Sequence, residues 1–508
     1  MCARQNEIRT IGKGISCRIR VTRETPTLKS WSELVRSLSA TTTTRLVQAA
    51  HRPLFGHNSD SFYQLDNSFN NSVTDRDLDT THPGYWPSPW PVECGGNRRQ
   101  KHARGRLDAH ASTPQVSSVR NGRWNVMVIR RDPGEWFLSG TMAAFHGDPP
   151  FGWVQRIDPK TLEVLAETPP LPCGDHVWCG AIAAHANGSL YNVNGSYLHR
   201  ISPDCEILAE KRLPVDQAHN GLLILSDGSI VTKDLRLAGD KRSTMTRLDP
   251  ESLELLHEPV TLPEVSMGRI AADLTEEGEA IYVPGVDRLF RLWVEPDGLR
   301  LDETWQPAYR TDDTHGMAWD SCLSNDHGWI MNCGDITGVR AIFGKHPNGR
   351  FAVAPGKQLS WQHAAPWSGP QQLLRVNLDS GEVATAHPFE TPGGGIIAPP
   401  VHIPDHGLIV CWDSINGGMA GLDDLTLETL WTNDVRATMQ PVVFAESGEI
   451  VINDFTGTDD VVVIDAPTGE VTARVNVGSP IANGMFLTAG DDRDIFYCST
   501  LTVAHIAF

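Results

Sequence analysis

One short phrase returns along this chain at intervals of about 45 residues, the period of a four-stranded propeller blade. It reads Asp158-Pro159-Lys160-Thr161-Leu162, Asp249-Pro250-Glu251-Ser252-Leu253, Asn377-Leu378-Asp379-Ser380-Gly381, Asp423-Asp424-Leu425-Thr426-Leu427 and Asp465-Ala466-Pro467-Thr468-Gly469. Looser copies are Ser202-Pro203-Asp204-Cys205 and Glu295-Pro296-Asp297-Gly298. Asp, Pro, Ser, Thr and Gly supply the side-chain caps and dihedrals of a tight turn. The apolar runs on either side, such as residues 461–464 and Val471, suit strands.

A second turn recurs out of phase with the first. It appears at Asp132-Pro133-Gly134, Ala186-Asn187-Gly188, Ser226-Asp227-Gly228, Glu276-Glu277-Gly278, Asn325-Asp326-His327-Gly328, Pro404-Asp405-His406-Gly407, Glu446-Ser447-Gly448 and Gly490-Asp491-Asp492. Each lies between two apolar runs and reads as a hairpin tip. The tips imply an all-β, eight-bladed β-propeller, with seven blades the alternative. An open stack of sheets, or two smaller β domains, is the competing architecture. The last unit, from residue 481 on, shows only three strands, so its fourth must come from residues 106–120. A ring latched in this way by an N-terminal strand has no open sheet edge.

Three regions follow. Residues 1–57 form a disordered or targeting-like extension, rich in Arg, Ser and Thr. Residues 58–105 form an irregular arm packed on the propeller, and residues 106–508 form the propeller itself. One interval between turns is longer by about 35 residues, which places an inserted loop at 337–369.

Charge divides the chain unevenly. The net charge is −19, yet residues 1–106 hold 16 Lys and Arg against 9 Asp and Glu. The acidic remainder repels phosphate backbones, which argues against a nucleic-acid partner. No stretch of about 18 apolar residues would cross a membrane. The 10 cysteines include no CxxC pair and read as buried strand residues of a chain in a reducing, cytoplasmic compartment.

The Asp-x-x-Thr-Gly turn, best seen at residues 465–474, resembles the repeat of quinoprotein-like propellers of the pyrroloquinoline-quinone type. Trp431 matches the tryptophan with which such repeats dock neighbouring blades. The resemblance covers the chain from about residue 124 on and implies the fold, eight blades included. Quinone-dependent dehydrogenases of this type carry a vicinal disulfide, and no two cysteines here are adjacent, which argues against quinone. A local stretch, His219-Asn220-Gly221 through Lys233-Asp234, is similar to gluconolactonase and strictosidine-synthase-like propellers. There an Asn and a later Asp hold a divalent metal, and Asn220 and Asp234 would be the equivalents.

Blade geometry narrows the remaining candidates. Residues at the starts of inner strands and the ends of second strands lie on one face, around the channel mouth where ligands bind. His176, His219, Asn220, Arg269, His315, Gln440 and Asn483 are at starts; His146, Asp234, Asp335, Asp413 and Asp454 are at ends. Imidazoles suit zinc or iron, and Asp and Asn oxygens suit calcium. The expected site therefore holds a divalent metal (Ca, Zn or Fe) on His219, Asn220, Asp234 and His315. His219, His315 and Asp234 are its catalytic groups, and Arg269, Gln440, Asn483 and His176 bind substrate. A strand-end cap is the structural alternative for each Asp, and pairing with an acid is the alternative for Arg269. The expected function is metal-dependent hydrolysis of a small lactone or ester. A non-catalytic binding propeller, or an oxidoreductase using quinone or His-bound iron, is the alternative.

Overall fold

The computed structural model describes residues 82–142, 150–176, 178–236, 242–311, 314–332, 369–392, 394–395, 398–414, 416–438, 440–454, 459–479 and 484–508. The regular structure there is strand, interrupted only by short 3-10 turns. Residues 1–57 and all but Gly369 of the expected insertion lie outside the described residues, as do His146, Asp335 and Asn483.

The recurring phrase is a side-chain-capped turn. Asp158 Oδ1 accepts from the Lys160 and Thr161 amides and from the Thr161 hydroxyl at 3.0, 2.8 and 2.9 Å. Asp249, Asn377 and Asp423 repeat the pattern with Ser252, Ser380 and Thr426. The next residue takes a positive φ, at Leu162 (61°), Leu253 (58°), Leu427 (61°), Gly381 (73°) and Gly469 (74°). The acid, the hydroxyl three positions on and the left-handed residue after it are thus one local unit.

These turns join the outer strands of antiparallel sheets. Five sheets have four strands in simple meander order, including Cys179–Ala184 to Ile207–Arg212 and His219–Ile224 to Val260–Thr261. A sixth, from Val442–Phe444 to Val471–Ser479, gains the two-residue strand His102–Ala103 in parallel. The seventh has six strands because two of them are long. Gln115–Arg130 pairs through residues 115–120 with Asp494–Ala507 and through residues 124–130 with Trp136–Met142. Asp494–Ala507 meanwhile pairs its first half with Gly484–Ala489. Leu501 has φ 75°, and the Phe508 amide returns to the Arg493 carbonyl at 2.8 Å, which folds this strand on itself. The sheet therefore divides into two four-strand units, consistent with eight blades. The latch is as expected: an N-terminal segment supplies the last outer strand, from Gln115↔Ala507 to Arg120↔Thr502.

First strands of successive sheets pack side by side, among them the Cys179–Ala184 and His219–Ile224 strands. They are almost wholly buried, and they line the channel. Trp431 docks blades as its repeat implies: its Nε1 donates to the Ala466 carbonyl of the next sheet at 2.8 Å. Trp305 packs against Gly381 of the following sheet as Trp431 packs against Gly469, from a position the repeat does not mark and without a hydrogen bond from its Nε1.

The channel is occupied by the chain itself. Residues 82–108 reach an inner strand or its hairpin in each unit. The Trp90 carbonyl accepts from the Arg130 amide at 3.0 Å, and the Pro91 carbonyl from Ala184 at 2.8 Å. Asn97 donates to the Ile224 carbonyl at 2.9 Å. The Asn97, Arg98 and Lys101 carbonyls accept from Ala272, Leu323 and Val443. Lys101 Nζ donates to the Pro400 carbonyl, and Arg493 Nε donates to the Leu107 carbonyl.

Candidate functional site

Above this plug, on the face where inner strands begin, lies a pocket lined by Trp178, Arg269, Trp319, Thr438, Gln440, Met485 and Phe486. Its cavity volume is about 20 Å3, room for an ordered water. Every lining residue lies within two positions of the first residue of an inner strand, or just inside it, apart from Thr438. Glycines let these strands crowd together. A Cβ on Gly268 would overlap the Trp319 carbonyl, and one on Gly180 would overlap that of His219.

Four buried charges form the floor. Arg99 pairs with Glu93, and with Asp320 at 3.0 Å. Arg269 Nε lies 2.8 Å from Glu93, and the Arg269 amide donates to Asp320 at 2.5 Å. These four pair with one another, while the buried Lys101 and Lys233 ammonium groups nearby donate to backbone carbonyls. The Arg269 guanidinium also lies 5.6 Å from the Trp178 ring centroid and 5.0 Å from that of Phe486, distances typical of cation–π contact. Gln440 turns its Nε2 toward Asp320 at 3.4 Å, the only orientation an acceptor-only carboxylate allows.

Three polar atoms of this lining are buried without a hydrogen-bond partner: Arg269 Nη2, Trp319 Nε1 and Gln440 Oε1. An orphaned buried donor or acceptor costs roughly 1–3 kcal/mol, so such groups mark a place for water or ligand.

The expected metal set does not assemble. Asn220 Oδ1 accepts from Trp178 Nε1 at 3.1 Å, and its Nδ2 donates to the Met267 carbonyl at 3.0 Å. Asp234 holds Arg236 at 2.6 Å and accepts from the Thr244 amide. Burial raises the Asp234 carboxyl above the usual range. His219 is opposite Asp234 in the strand register, but its Nδ1 faces the Gln217 carbonyl at 3.0 Å and its Nε2 has no partner. Burial pushes His219 down to about 4, so it is neutral at pH 7. His315 belongs to another sheet, with the Ala271–Leu301 strands between it and His219 in the chain. It sits beside His387, at 5.9 Å between rings, on the connection that travels inward from the outer edge. His176 faces Asp216 at 3.4 Å, outside the pocket. Asp413 and Asp454 cap strand ends, accepting from Gly395 and Arg436 amides.

Of the expected residues, the structure brings Arg269 and Gln440 into the pocket. Arg269 takes the alternative expected for it, pairing with an acid. Trp178, Trp319, Met485, Phe486, Glu93 and Asp320 were not singled out by sequence. Their signal was position: Trp178 and Trp319 stand at the same strand starts as Asn220 and Arg269.

A divalent metal, as the local resemblance at residues 219–234 implies, finds poor support in the donor set. Among the described residues no three His, Cys, Asp or Glu side chains converge as metal ligands, and the acids of the floor are held by arginines. The seven described cysteines are buried, and no disulfide joins any of them. Cys94, beside the floor, is pushed up to about 12 by burial, so it is a protonated thiol.

No family model and no curated protein matches the sequence. Solved structures do match. Quinohemoprotein alcohol dehydrogenase from Comamonas testosteroni aligns over 84% of this chain and 81% of its own, with TM-score 0.56 and 11% identity. A europium-containing methanol dehydrogenase aligns over 82% and 90%, with TM-score 0.55 and 10% identity. Quinohemoprotein alcohol dehydrogenase ADHIIG from Pseudomonas putida HK5 aligns over 86% and 82%, with TM-score 0.51 and 12% identity. The fold is that of a quinoprotein-like β-propeller. At such identities the likeness is one of fold, and function has to be argued from the site.

Proposed function

We propose that this propeller binds a small molecule in the pocket above the channel plug. The observation that carries this reading is the convergence of Arg269, Trp319 and Gln440, each with an unpartnered polar atom, behind aromatic side chains at the channel mouth. The lactone or ester hydrolase expected from residues 219–234 has no comparable support. Asn220 and Asp234 are committed to structural partners, and His219 opens one inner strand while His315 lies on the connection before another, Ala318–Ser324.

A thermal-shift screen of a fragment collection tests the reading. Met485→Trp fills the pocket from its wall, so hits on the wild type should vanish in the variant while its own melting point stays within a few degrees. Hits that stabilise both proteins equally would place binding elsewhere.

A propeller oxidoreductase is the second reading, favoured by the likeness of fold to alcohol and methanol dehydrogenases. Visible absorbance and elemental analysis of the purified protein separate the two. A stoichiometric chromophore or metal would favour the oxidoreductase over the binding protein.

A further inference from the structure

The strand that closes the ring is interrupted once, and the interruption is an Asn-Gly pair. Within Gln115–Arg130, Arg120 stands opposite Thr502 and Trp124 opposite Thr500, with a bulge between them. Trp124 also opens the ladder with Trp136–Met142, opposite Thr141. Asn121, Gly122 and Arg123 therefore have no register partner in either ladder. Gly122 takes φ 69°, and a Cβ there would meet nothing within 4 Å.

Two side-chain amides tie the bulge. Asn121 Nδ2 donates to Asn125 Oδ1 at 2.6 Å, and Asn125 Nδ2 donates back to Asn121 Oδ1 at 3.1 Å. The Arg123 amide gives Asn121 Oδ1 a second donor at 3.1 Å. Asn125 is wholly buried, and its Nδ2 also donates to the Ser499 carbonyl at 3.1 Å, which reaches the strand that completes the ring.

An asparagine before glycine is open to attack by its own backbone, because glycine has no Cβ to hinder the approach. The Gly122 amide gives its proton to hydroxide, and its nitrogen bonds to Asn121 Cγ. The Cγ–Nδ2 bond breaks, and Nδ2 takes a proton from water and leaves as ammonia. Water then opens the cyclic imide at one of its two carbonyls, giving aspartate or isoaspartate. Charge that gathers on Oδ1 in the first step is met by the Arg123 and Asn125 donors.

Asn-Gly occurs five times among the described residues, and the other four are placed less favourably. Asn194 and Asn220 are wholly buried, away from hydroxide. The glycine amides after Asn187, Asn194 and Asn416 already donate to the His185, Trp178 and Asp413 carbonyls at 2.9, 2.7 and 2.9 Å. Asn121 is half-buried, and its glycine lies between the ladders.

We propose that Asn121 is a site of spontaneous deamidation and that the reaction loosens the latch of the ring. A carboxylate at 121 has no donor, so it opposes the Asn125 Oδ1 that Nδ2 now meets. If Asn125 turns its amide to answer, its oxygen faces the Ser499 carbonyl and that tie is lost. Isoaspartate also lengthens the backbone by a methylene between the two ladders. The site is separate from the pocket, and the inference does not depend on what the pocket binds.

The test is storage of the full-length protein in mildly alkaline buffer, followed by peptide mapping. The peptide that holds Asn121 should gain one mass unit and isoaspartyl content several-fold faster than those that hold Asn187, Asn194, Asn220 and Asn416. Asn121→Ser, which cannot cyclise in this way, should show no gain at that peptide. Fresh Asn121→Asp, the direct product, should melt a few degrees below the wild type, and aged wild type should move toward it. Faster change at any of the other four pairs would overturn the assignment. So would an unaltered Asn121 after a free Asn-Gly peptide in the same buffer has reacted fully. Modification of Asn121 with no change of melting temperature, in the aged protein and in Asn121→Asp alike, would overturn the loosening of the latch.

Discussion

At the residue scale, buried polar groups are decided by the partners that surround them. His199 and His219 are both wholly buried, and burial lowers each to about 4 from an ordinary 6.5. The folded protein therefore refuses protons that the unfolded chain accepts between pH 6.5 and 4. Stability from these groups is present above pH 6.5 and is lost as pH falls through that window, by up to about 3 kcal/mol per histidine. Urea midpoints measured from pH 7 to pH 4.5 should fall, and His219→Gln should flatten the slope. An unchanged slope would show that His219 is not neutral in the fold. The same scale explains where the expected metal ligands stand. His219, Asn220 and Asp234 do share one place, but its amide and carboxylate groups bond to Trp178, Met267, Arg236 and Thr244. Sequence reveals residue types at strand starts. It does not reveal that partners 42 and 47 positions away have already taken Asn220.

At the element scale, legibility followed locality. The capped turns were readable because the acid, the hydroxyl and the left-handed residue lie within five positions, as at residues 377–381. Asn377→Ala should cost about 1 kcal/mol, read from the denaturation midpoint, because two amides and a hydroxyl lose one acceptor. The latch was readable because a strand was missing from the count. Its energetic weight can be tested at Ser118, which pairs with Ala504 in the middle of the closing ladder. Alternate amides of this outer strand donate to the partner, so one of Ser118→Pro and Val119→Pro removes a ladder donor and should lose about 3 kcal/mol. Equal stability of both variants would mean that the ring does not depend on this strand. The plug, by contrast, was legible only as an irregular arm. Its backbone groups bond to strands hundreds of positions distant, and it therefore carries no period of its own.

At the scale of the molecule, the plug joins units that otherwise meet only their neighbours. Repeat arrays with nearest-neighbour contacts can unfold piecewise. Here Asn97, Arg98 and Lys101 each tie a different sheet to one segment, and Arg99 and Glu93 lock that segment to Asp320 and Arg269. Arg99→Met leaves two buried carboxylates short of a partner and should cost about 3–5 kcal/mol. Because the ties are shared, the loss should appear as one lowered transition with coincident near- and far-UV circular dichroism. Separate transitions would show that the sheets are held independently. The acidic body and the basic N-terminal quarter also acquire a shared meaning. Arg98 and Arg99 lie against Asp273, Glu93 and Asp320 inside the channel, so part of the charge asymmetry seen in the sequence is internal neutralisation.

A segment that stands inside a ring but precedes it in the chain has a bearing on assembly. Residues 82–108 leave the ribosome before any wall of the channel exists, and the final wall is completed by the last residues, paired to 115–120. Blades can accordingly gather around a core thread that is already in place, much as staves are raised around a post. Were the thread at the other end of the chain, a finished ring would have to reopen to admit it. The order of thread and blades along the chain thus suits assembly of a ring around a segment already present.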